Sequence, residues 1–353
     1  MNIPSEYTAA IESLGYTADE ARFLYIAATF SGYFVPRQFI AFTGAKWGSR
    51  STNFTRKLES RGHVSWREYP HLDGVYHLSS KVLYRLIGKE NLRNRRRHSP
   101  DFIRTRLVAL DFILANHHCE YLETEADKVS YFHEELGIPE KLFPTKEFAR
   151  HRSSPPTVRY FVDQFPMYFA KGEDDSPPLV TLSYVDPGHA SLAGFRHHLR
   201  RYKSLFASLS AFGFTYISNT SAHFIAAQER FSAFIANAFR EEIPAALLSY
   251  FTLRAKWDQK RYAELSMPDI KSLELASRQF TGPDIERLYQ SWCAAPQPTG
   301  DVGTVLPDPQ SPPNIHFECR LVSRDRVARE EVENRQVKPA SIRAALDSLV
   351  RLP

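Results

Sequence analysis

The segment from Thr43 to Trp66, TGAKWGSRSTNFTRKLESRGHVSW, combines small polar side chains with cations in a pattern that suits contact with DNA. Arg and Asn can pair with the edges of guanine and adenine, and Ser and Thr hydroxyls can bind phosphate oxygens. Its only acid is Glu59, whereas a surface helix usually carries charges of both signs. The residues of this segment that we predict to contact DNA are Lys46, Ser49, Arg50, Ser51, Thr52, Asn53, Arg56 and Lys57.

Positive charge continues beyond this segment. From Lys46 to Arg106 the chain holds fifteen Lys and Arg residues against five acids, although the net charge of the whole chain is only +5. A local excess of this kind is typical of proteins that bind a polyanion, and each neutralised phosphate adds salt-dependent affinity. The alternative is a solvated basic surface without a partner. The further predicted DNA contacts are Arg67, His71, Arg93, Arg95, Arg96 and Arg97.

The residues before this segment predict two helices. Thr17 is a good N-cap, with two acids in the turn after it, for a helix over residues 18–32. Pro36 suits a first helical position and Gly44 suits a C-cap, so a short second helix is predicted over residues 36–44.

A third helix and a β-hairpin are predicted next. Ser49 or Ser51 caps a helix over residues 52–60, in which Phe54 and Leu58 face the interior. Two β-rich runs, HVSWREYP and GVYHLSS, flank an Asp-Gly turn. This order of elements over residues 1–90 predicts a winged helix-turn-helix DNA-binding domain. The alternative is a trihelical module that docks another protein.

The rest of the chain divides into three further segments. Residues 91–120 are predicted to be a basic linker and a connecting helix. Over residues 121–293 two strands, a helix, a strand and another helix follow in the order of an α/β domain. Residues 294–353 are predicted to be a Pro-rich linker and a C-terminal helix. The predicted fold class is therefore α+β with several domains.

Two acids of the second domain fall at predicted strand positions, Asp163 in YFVDQFPMYF and Asp186 in LVTLSYVDPGH. A winged helix, a basic linker, these two strands and a helix with HLRRY together resemble the replication-relaxation family of plasmid and integrative-element proteins. The resemblance covers about residues 17–220. It implies that the second domain is restriction-endonuclease-like, because in that family this domain resembles the PD-(D/E)XK nuclease core.

The sequence departs from the family pattern at two positions. The family's second strand tends to read Glu-x-Asp-x-Gly, and its helix carries a Lys followed four residues later by a Tyr. Here the Asp and Gly are Asp186 and Gly188 and the helix Tyr is Tyr202, but Tyr184 replaces the Glu and His198 replaces the Lys.

These departures bear on catalysis. A nuclease of this kind needs two or three carboxylates to hold Mg²⁺ and a Lys to stabilise charge. We therefore predict a degenerate nuclease-like domain with no catalytic residues and no cofactor. The alternative is a Mg²⁺-dependent DNA endonuclease or nickase that uses Asp163 and Asp186, with Glu123 or Glu125 as a third carboxylate.

Cysteine usage and hydropathy point to a cytoplasmic protein. Three widely spaced cysteines form neither a disulfide framework nor a metal knuckle. The adjacent residues of HHCE, 117–120, point in different directions, so no metal site is predicted there. No signal pattern and no apolar run near the ~20 residues of a membrane span is present, and no membrane contact is predicted.

These features together predict a sequence-specific double-stranded DNA-binding protein of a mobile element. It would act in replication, transfer or transcriptional control. A homodimer is predicted because one winged helix reads few base pairs. A protein-docking adaptor is the second alternative to this function.

Overall fold

The computed structural model describes residues 1–44, 48–69, 72–148, 157–170, 178–188, 191–238, 240–242, 245–294, 305–307 and 314–322. It is a mixed α/β structure, in agreement with the predicted class. The chain divides into two compact units, residues 1–232 with 313–353 and residues 233–312. The domain boundaries predicted at residues 90, 120 and 293 stay predictions.

The first unit begins with four helices and a short strand, α1 (Ser5–Glu12), α2 (Ala18–Phe30), β1 (Tyr33–Phe34), α3 (Pro36–Thr43) and α4 (Ser49–Ser60). The predicted caps of two helices are confirmed. Thr17 forms a capping box with Glu20 at the start of α2, and Gly44 ends α3 in the left-handed region at φ 65°. The predicted cap of α4 is wrong, because Gly48 holds the N-cap position and Ser49 is already helical.

A three-stranded antiparallel sheet follows, in the order β1-β3-β2, formed with β2 (Val64–Tyr69) and β3 (Leu72–Leu78). The predicted hairpin is confirmed as two paired strands, but the predicted Asp-Gly turn is wrong, because Asp73 and Gly74 lie within β3. Its register runs from Val64 opposite Leu78 to Arg67 opposite Val75, and a shift follows before Tyr69. A bulge of this kind increases the local twist of the hairpin.

Phe54 fixes α4 to this core. Its ring is fully buried and lies 4.1 Å from the ring of Phe39, 5.8 Å from that of Phe23 and 6.0 Å from that of Phe34, measured between centroids. These partners belong to α3, α2 and β1. Four elements therefore meet at one aromatic side chain, and the opposite face of α4 is turned to solvent.

The basic tract is part of the packed unit. After α5 (Lys81–Leu86), residues Arg93–Arg95 form a 3₁₀ turn whose Asn94 is buried. The Asn94 amide donates to the carbonyls of Ala28 at 3.1 Å and Thr29 at 2.7 Å. The Asn94 side chain therefore anchors this turn to α2. The prediction that the tract is a linker is wrong for this turn, because it is packed in the first unit.

The long helix α6 (Pro100–Ala115) follows the tract, and Ser99 caps it. It is buried on most of its surface, because it packs against both the N-terminal helices and the strands that come later. Its apolar side chains Leu107, Leu110, Ile113 and Leu114 are all buried, and Phe102 is half-buried.

A five-stranded sheet in the order β12-β9-β8-β7-β4 forms the other part of the first unit. Its strands are β4 (Glu120–Tyr121), β7 (Tyr168–Ala170), β8 (Leu179–Asp186), β9 (Ala211–Ser218) and β12 (Asn314–Leu321). The strands β8, β9 and β12 are parallel, and β7 and β4 are antiparallel additions. The helices α7 (Glu125–Ser130) and α8 (Ala193–Ala207), the first part of α9 (Phe224–Ala238), and a separate hairpin of β5 (Thr145–Phe148) with β6 (Thr157–Tyr160) complete it.

Residues Asn314–Leu321 form the strand β12, whereas the sequence predicts a Pro-rich linker and a C-terminal helix over residues 294–353. Ile315 and Phe317 alternate with polar residues and are buried beside β9, in a period of two that is typical of a strand. The predicted helix around Ile342, Leu346 and Leu349 lies outside the described residues.

The second unit contains α10 (Ala245–Asp258), α11 (Met267–Gln279) and α12 (Pro283–Ala294). A small core joins them through Leu247, Tyr250, Phe251, Tyr289 and Trp292. The strand β10 (Arg240–Glu242) pairs with β11 (Val305–Pro307), so part of the predicted linker is a strand. No described helix is long and apolar enough to cross a lipid bilayer.

Candidate nucleic-acid interface

Helix α4 presents an exposed polar face that is suited to contact with a groove of DNA. Ser49, Thr52, Asn53 and Arg56 are exposed, and they recur at the spacing of one helical face. On the opposite face Phe54 and Leu58 are fully buried, as predicted. The helix is thus held by its apolar side while hydroxyl, amide and guanidinium groups can reach outward.

Ser51 is placed differently from its neighbours. It is buried, and its hydroxyl donates to the carbonyl of Gly48 at 3.2 Å. Thr55, one turn later, is buried as well and donates back to the Ser51 carbonyl at 3.2 Å. The Ser51 side chain is turned into the first turn of the helix, and this position does not fit its predicted contact with DNA.

Two predicted cations are paired with acids of α2. Arg50 donates to Asp19 at 2.6 Å, and both side chains are about half exposed. Lys57 donates to Glu20 at 2.6 Å, and that carboxylate also accepts from the backbone of Thr17 in the capping box. Exposed pairs contribute little, about 0 to 1 kcal/mol, so a phosphate can replace Asp19 as the partner of Arg50. Lys57 is held more firmly, because Glu20 is nearly buried.

The β2–β3 hairpin follows α4 in the chain and carries two exposed side chains. Arg67 is exposed, as its prediction requires. Trp66, which sequence reasoning did not select, is 48% exposed, a large fraction for an indole ring. Gly74 makes room for it, because a Cβ at residue 74 would collide with the Trp66 ring. The signal in the sequence that could have identified Trp66 is its position next to Arg67 in a β-rich run.

The remaining predicted contacts divide into exposed, partly buried and undescribed residues. Arg96 and Arg97 are exposed, and Arg93 and Arg95 are partly buried. The Arg93 guanidinium lies 4.6 Å from the ring centroid of Phe148 on β5. Lys46 and His71 lie outside the described residues.

Asp163 is not on a strand, in contrast to its prediction. It lies in a turn between β6 and β7, where Phe161 and Gln164 adopt the left-handed region at φ 48° and 54°. Tyr202 donates to both of its oxygens at 3.0 Å, and the Nδ1 atom of His198 lies 3.2 Å away. Burial alone would raise the pKa of Asp163. The His198 and Tyr202 hydrogen bonds and the Lys128 charge outweigh it and hold this pKa at about 2.

Lys128 and Arg106 complete the surroundings of this turn. Both are buried, and burial lowers the pKa of Lys128 to about 8 and that of Arg106 to about 10. Lys128 donates to the Phe165 carbonyl at 3.1 Å, and Arg106 donates to the Gln164 carbonyl at 2.9 Å. The turn is therefore tied to α6, α7 and α8. Sequence reasoning missed both cations, because neither lies near the turn in the chain.

Asp186 ends β8 and is 2% exposed. One oxygen accepts from the Gly188 amide at 2.8 Å, and the other accepts from the Tyr216 hydroxyl at 2.5 Å and lies 3.0 Å from His223. These partners occupy three of the about four acceptor positions of the carboxylate.

The two possible third carboxylates are also engaged. Glu123 pairs with Lys89 and accepts from Tyr25, and Glu125 pairs with Arg159. Within the described part of the chain, no group of three or more His, Cys, Asp or Glu side chains could hold a metal ion. In HHCE, the His117 ring is hydrogen-bonded to the Leu114 carbonyl of the preceding helix. No observation on these acids favours the nuclease alternative.

Comparison of the chain with protein-family models, with curated proteins and with solved structures gave no significant match. The resemblance to the replication-relaxation family therefore rests on the residues quoted above.

Proposed function

We propose that this protein binds double-stranded DNA with sequence preference, through the exposed face of α4. In this proposal the first helices and the β2–β3 hairpin act as a winged helix-turn-helix, with α4 in the major groove and the hairpin as the wing. The observation that carries the proposal is the exposure of Ser49, Thr52, Asn53 and Arg56 on one side of a helix whose other side is anchored by Phe54.

The side chains of α4 divide by chemistry. Asn53 and Arg56 can form paired hydrogen bonds with adenine and guanine, which gives sequence preference. Ser49 and Thr52 precede them in the helix and can bind phosphate oxygens, which fixes the register on the duplex. The exposed Arg67, Arg96 and Arg97 add phosphate contacts that carry no sequence information.

The proposed setting is a plasmid or another mobile element, with a role in replication, transfer or transcriptional control. Its support is the resemblance to the replication-relaxation family over residues 17–220. A homodimer belongs to the proposal, because two half-sites supply the specificity that a single helix in the groove lacks. The second domain is proposed to be a nuclease-like fold used for binding or dimerisation.

The test is the DNA affinity of Arg56→Ala. We expect a loss of about 1 to 3 kcal/mol for the preferred duplex, which is roughly 5- to 150-fold, because a bidentate base contact is removed. Arg230→Ala is the matched control, since Arg230 is an exposed cation on α9 in the same unit. Equal affinities of the two variants would contradict the proposal, and would favour a module that docks another protein.

A further inference from the structure

The hairpin of β5 and β6 carries two cations, Lys146 and Arg159, that lie apart from α4 in the sequence and were not among the predicted DNA contacts. Lys146 on β5 stands directly opposite Arg159 on β6 in the antiparallel register. Like charges placed opposite each other on one face of a sheet repel and destabilise the pairing. The side chains of Lys146, Arg159 and Phe148 share this face, because residues two apart on a strand point to the same side.

The basic tract supplies a further cation, Arg93, to the same face. The Arg93 guanidinium lies 4.6 Å and the Lys146 ammonium 5.4 Å from the ring centroid of Phe148, so both cations converge on one aromatic ring. Burial, followed by the charges of Arg159 and Arg96, lowers the pKa of Arg93. Three cations, Arg93, Lys146 and Arg159, thus lie close together on this face.

The acids nearby do not neutralise this charge. Glu125 pairs with Arg159 and also accepts from the Tyr160 amide at 2.8 Å, so one cation of the three is matched. Glu147, the acid on β5, is opposite Val158 and therefore points to the other face. The face has an excess of positive charge that its own protein partners leave uncompensated within the described residues.

We infer that this face, formed by Lys146, Arg159, Phe148 and Arg93, is a second phosphate-binding site that holds the sugar-phosphate backbone of duplex DNA. The inference rests on the proposed function and adds an element to it. Lys146 is exposed, so the face is open and suits a polymer of regularly spaced phosphates. The guanidinium groups can bind a phosphate through two hydrogen bonds, and Lys146 acts as a point charge.

The experiment compares the salt dependence of duplex binding for Lys146→Gln, Arg93→Gln and the control Lys141→Gln. Lys141 is exposed on the 3₁₀ turn Glu140–Leu142, so its replacement changes the net charge by the same amount. The probe is a long mixed-sequence duplex. The slope of log affinity against log salt should become shallower by about 0.9 for each phosphate that the variant no longer neutralises, with either test variant but not with the control.

Thermal unfolding of the same variants separates binding from folding. Lys146→Gln relieves the repulsion with Arg159, so its melting temperature should equal or exceed that of the unmodified protein. A slope equal to that of Lys141→Gln would overturn the inference, and so would a lowered melting temperature that accounts for the loss of binding.

The outcomes also distinguish this inference from the proposed function. No binding by the unmodified protein overturns both. Binding that depends on Arg56 but is the same for Lys146→Gln and Lys141→Gln overturns only the hairpin site. A reduced slope with Lys146→Gln, together with no effect of Arg56→Ala, supports the hairpin site and overturns base reading by α4.

Discussion

Replacement of Asp163 by Ala is expected to lower the free energy of unfolding by about 3 to 5 kcal/mol, because it leaves buried charges without their partner. Lys128 and Arg106 are both buried, and the Asp163 charge favours the protonated form of each. The Tyr202 hydroxyl and His198 would lose their acceptor as well. Urea unfolding followed by circular dichroism measures this effect.

The pH dependence of the free energy of unfolding is a second test of the stabilising role of Asp163. The pKa of Asp163 is about 2 in the folded protein against an ordinary value of 3.8, so folding favours the ionised carboxylate. Its stabilisation is fully present above about pH 4 and is lost as the pH falls through 2. Asp163→Asn should therefore lack this part of the acid destabilisation, whereas the exposed control Glu147→Gln should keep it.

The outcome bears on function. If Asp163→Ala is as stable as the unmodified protein, the carboxylate is not needed by its protein partners and is available for a metal ion. That result would revive the nuclease alternative. A large loss of stability would instead assign Asp163 to holding the turn between β6 and β7 against α6, α7 and α8.

Phe54→Ala is the second change with a large expected effect. Removal of a fully buried aromatic ring typically costs about 3 to 5 kcal/mol, because its burial is lost and a cavity is left behind. Here the ring contacts those of Phe39, Phe23 and Phe34 from three other elements, so the cavity cannot collapse without moving α4. The measurement is the midpoint and slope of urea unfolding.

Two further variants serve as controls for Phe54→Ala. Phe54→Leu keeps most of the volume and should cost clearly less than Phe54→Ala. Val82→Ala changes an apolar side chain that is 52% exposed and should be nearly neutral. A loss below about 1 kcal/mol for Phe54→Ala, where burial of such a ring predicts several times more, would show that α4 is not anchored in the way described.

The N-terminal elements could be predicted because their signals are local. Thr17, Pro36 and Gly44 act on the backbone of their own helix, and the two hairpin strands carry their own β-branched and aromatic residues. The buried positions of Phe54 and Leu58 follow from helical spacing alone.

The features that the sequence did not predict correctly depend on interactions between residues that are distant in the chain. The pairing of Arg50 with Asp19 and of Lys57 with Glu20 joins residues 31 and 37 positions apart. The turn at Asp163 interrupts a run that resembles one long strand, and the side chains that hold it come from three helices. No local pattern specifies such partners.

The strand β12 was missed for another reason. The alternation of Ile315 and Phe317 with polar residues was present in the sequence, but the Pro-rich stretch before it dominated the interpretation. Parallel pairing with β9 brings together segments about a hundred residues apart, which sequence spacing alone does not reveal.

The most direct test of base reading by α4 is to sequence the duplexes that the protein retains from a random library at moderate salt, and to repeat this with Arg56→Ala. The account predicts a shared motif for the unmodified protein, and loss of preference at one position of that motif for the variant. An identical motif from both proteins, or no motif from the unmodified one, would contradict it.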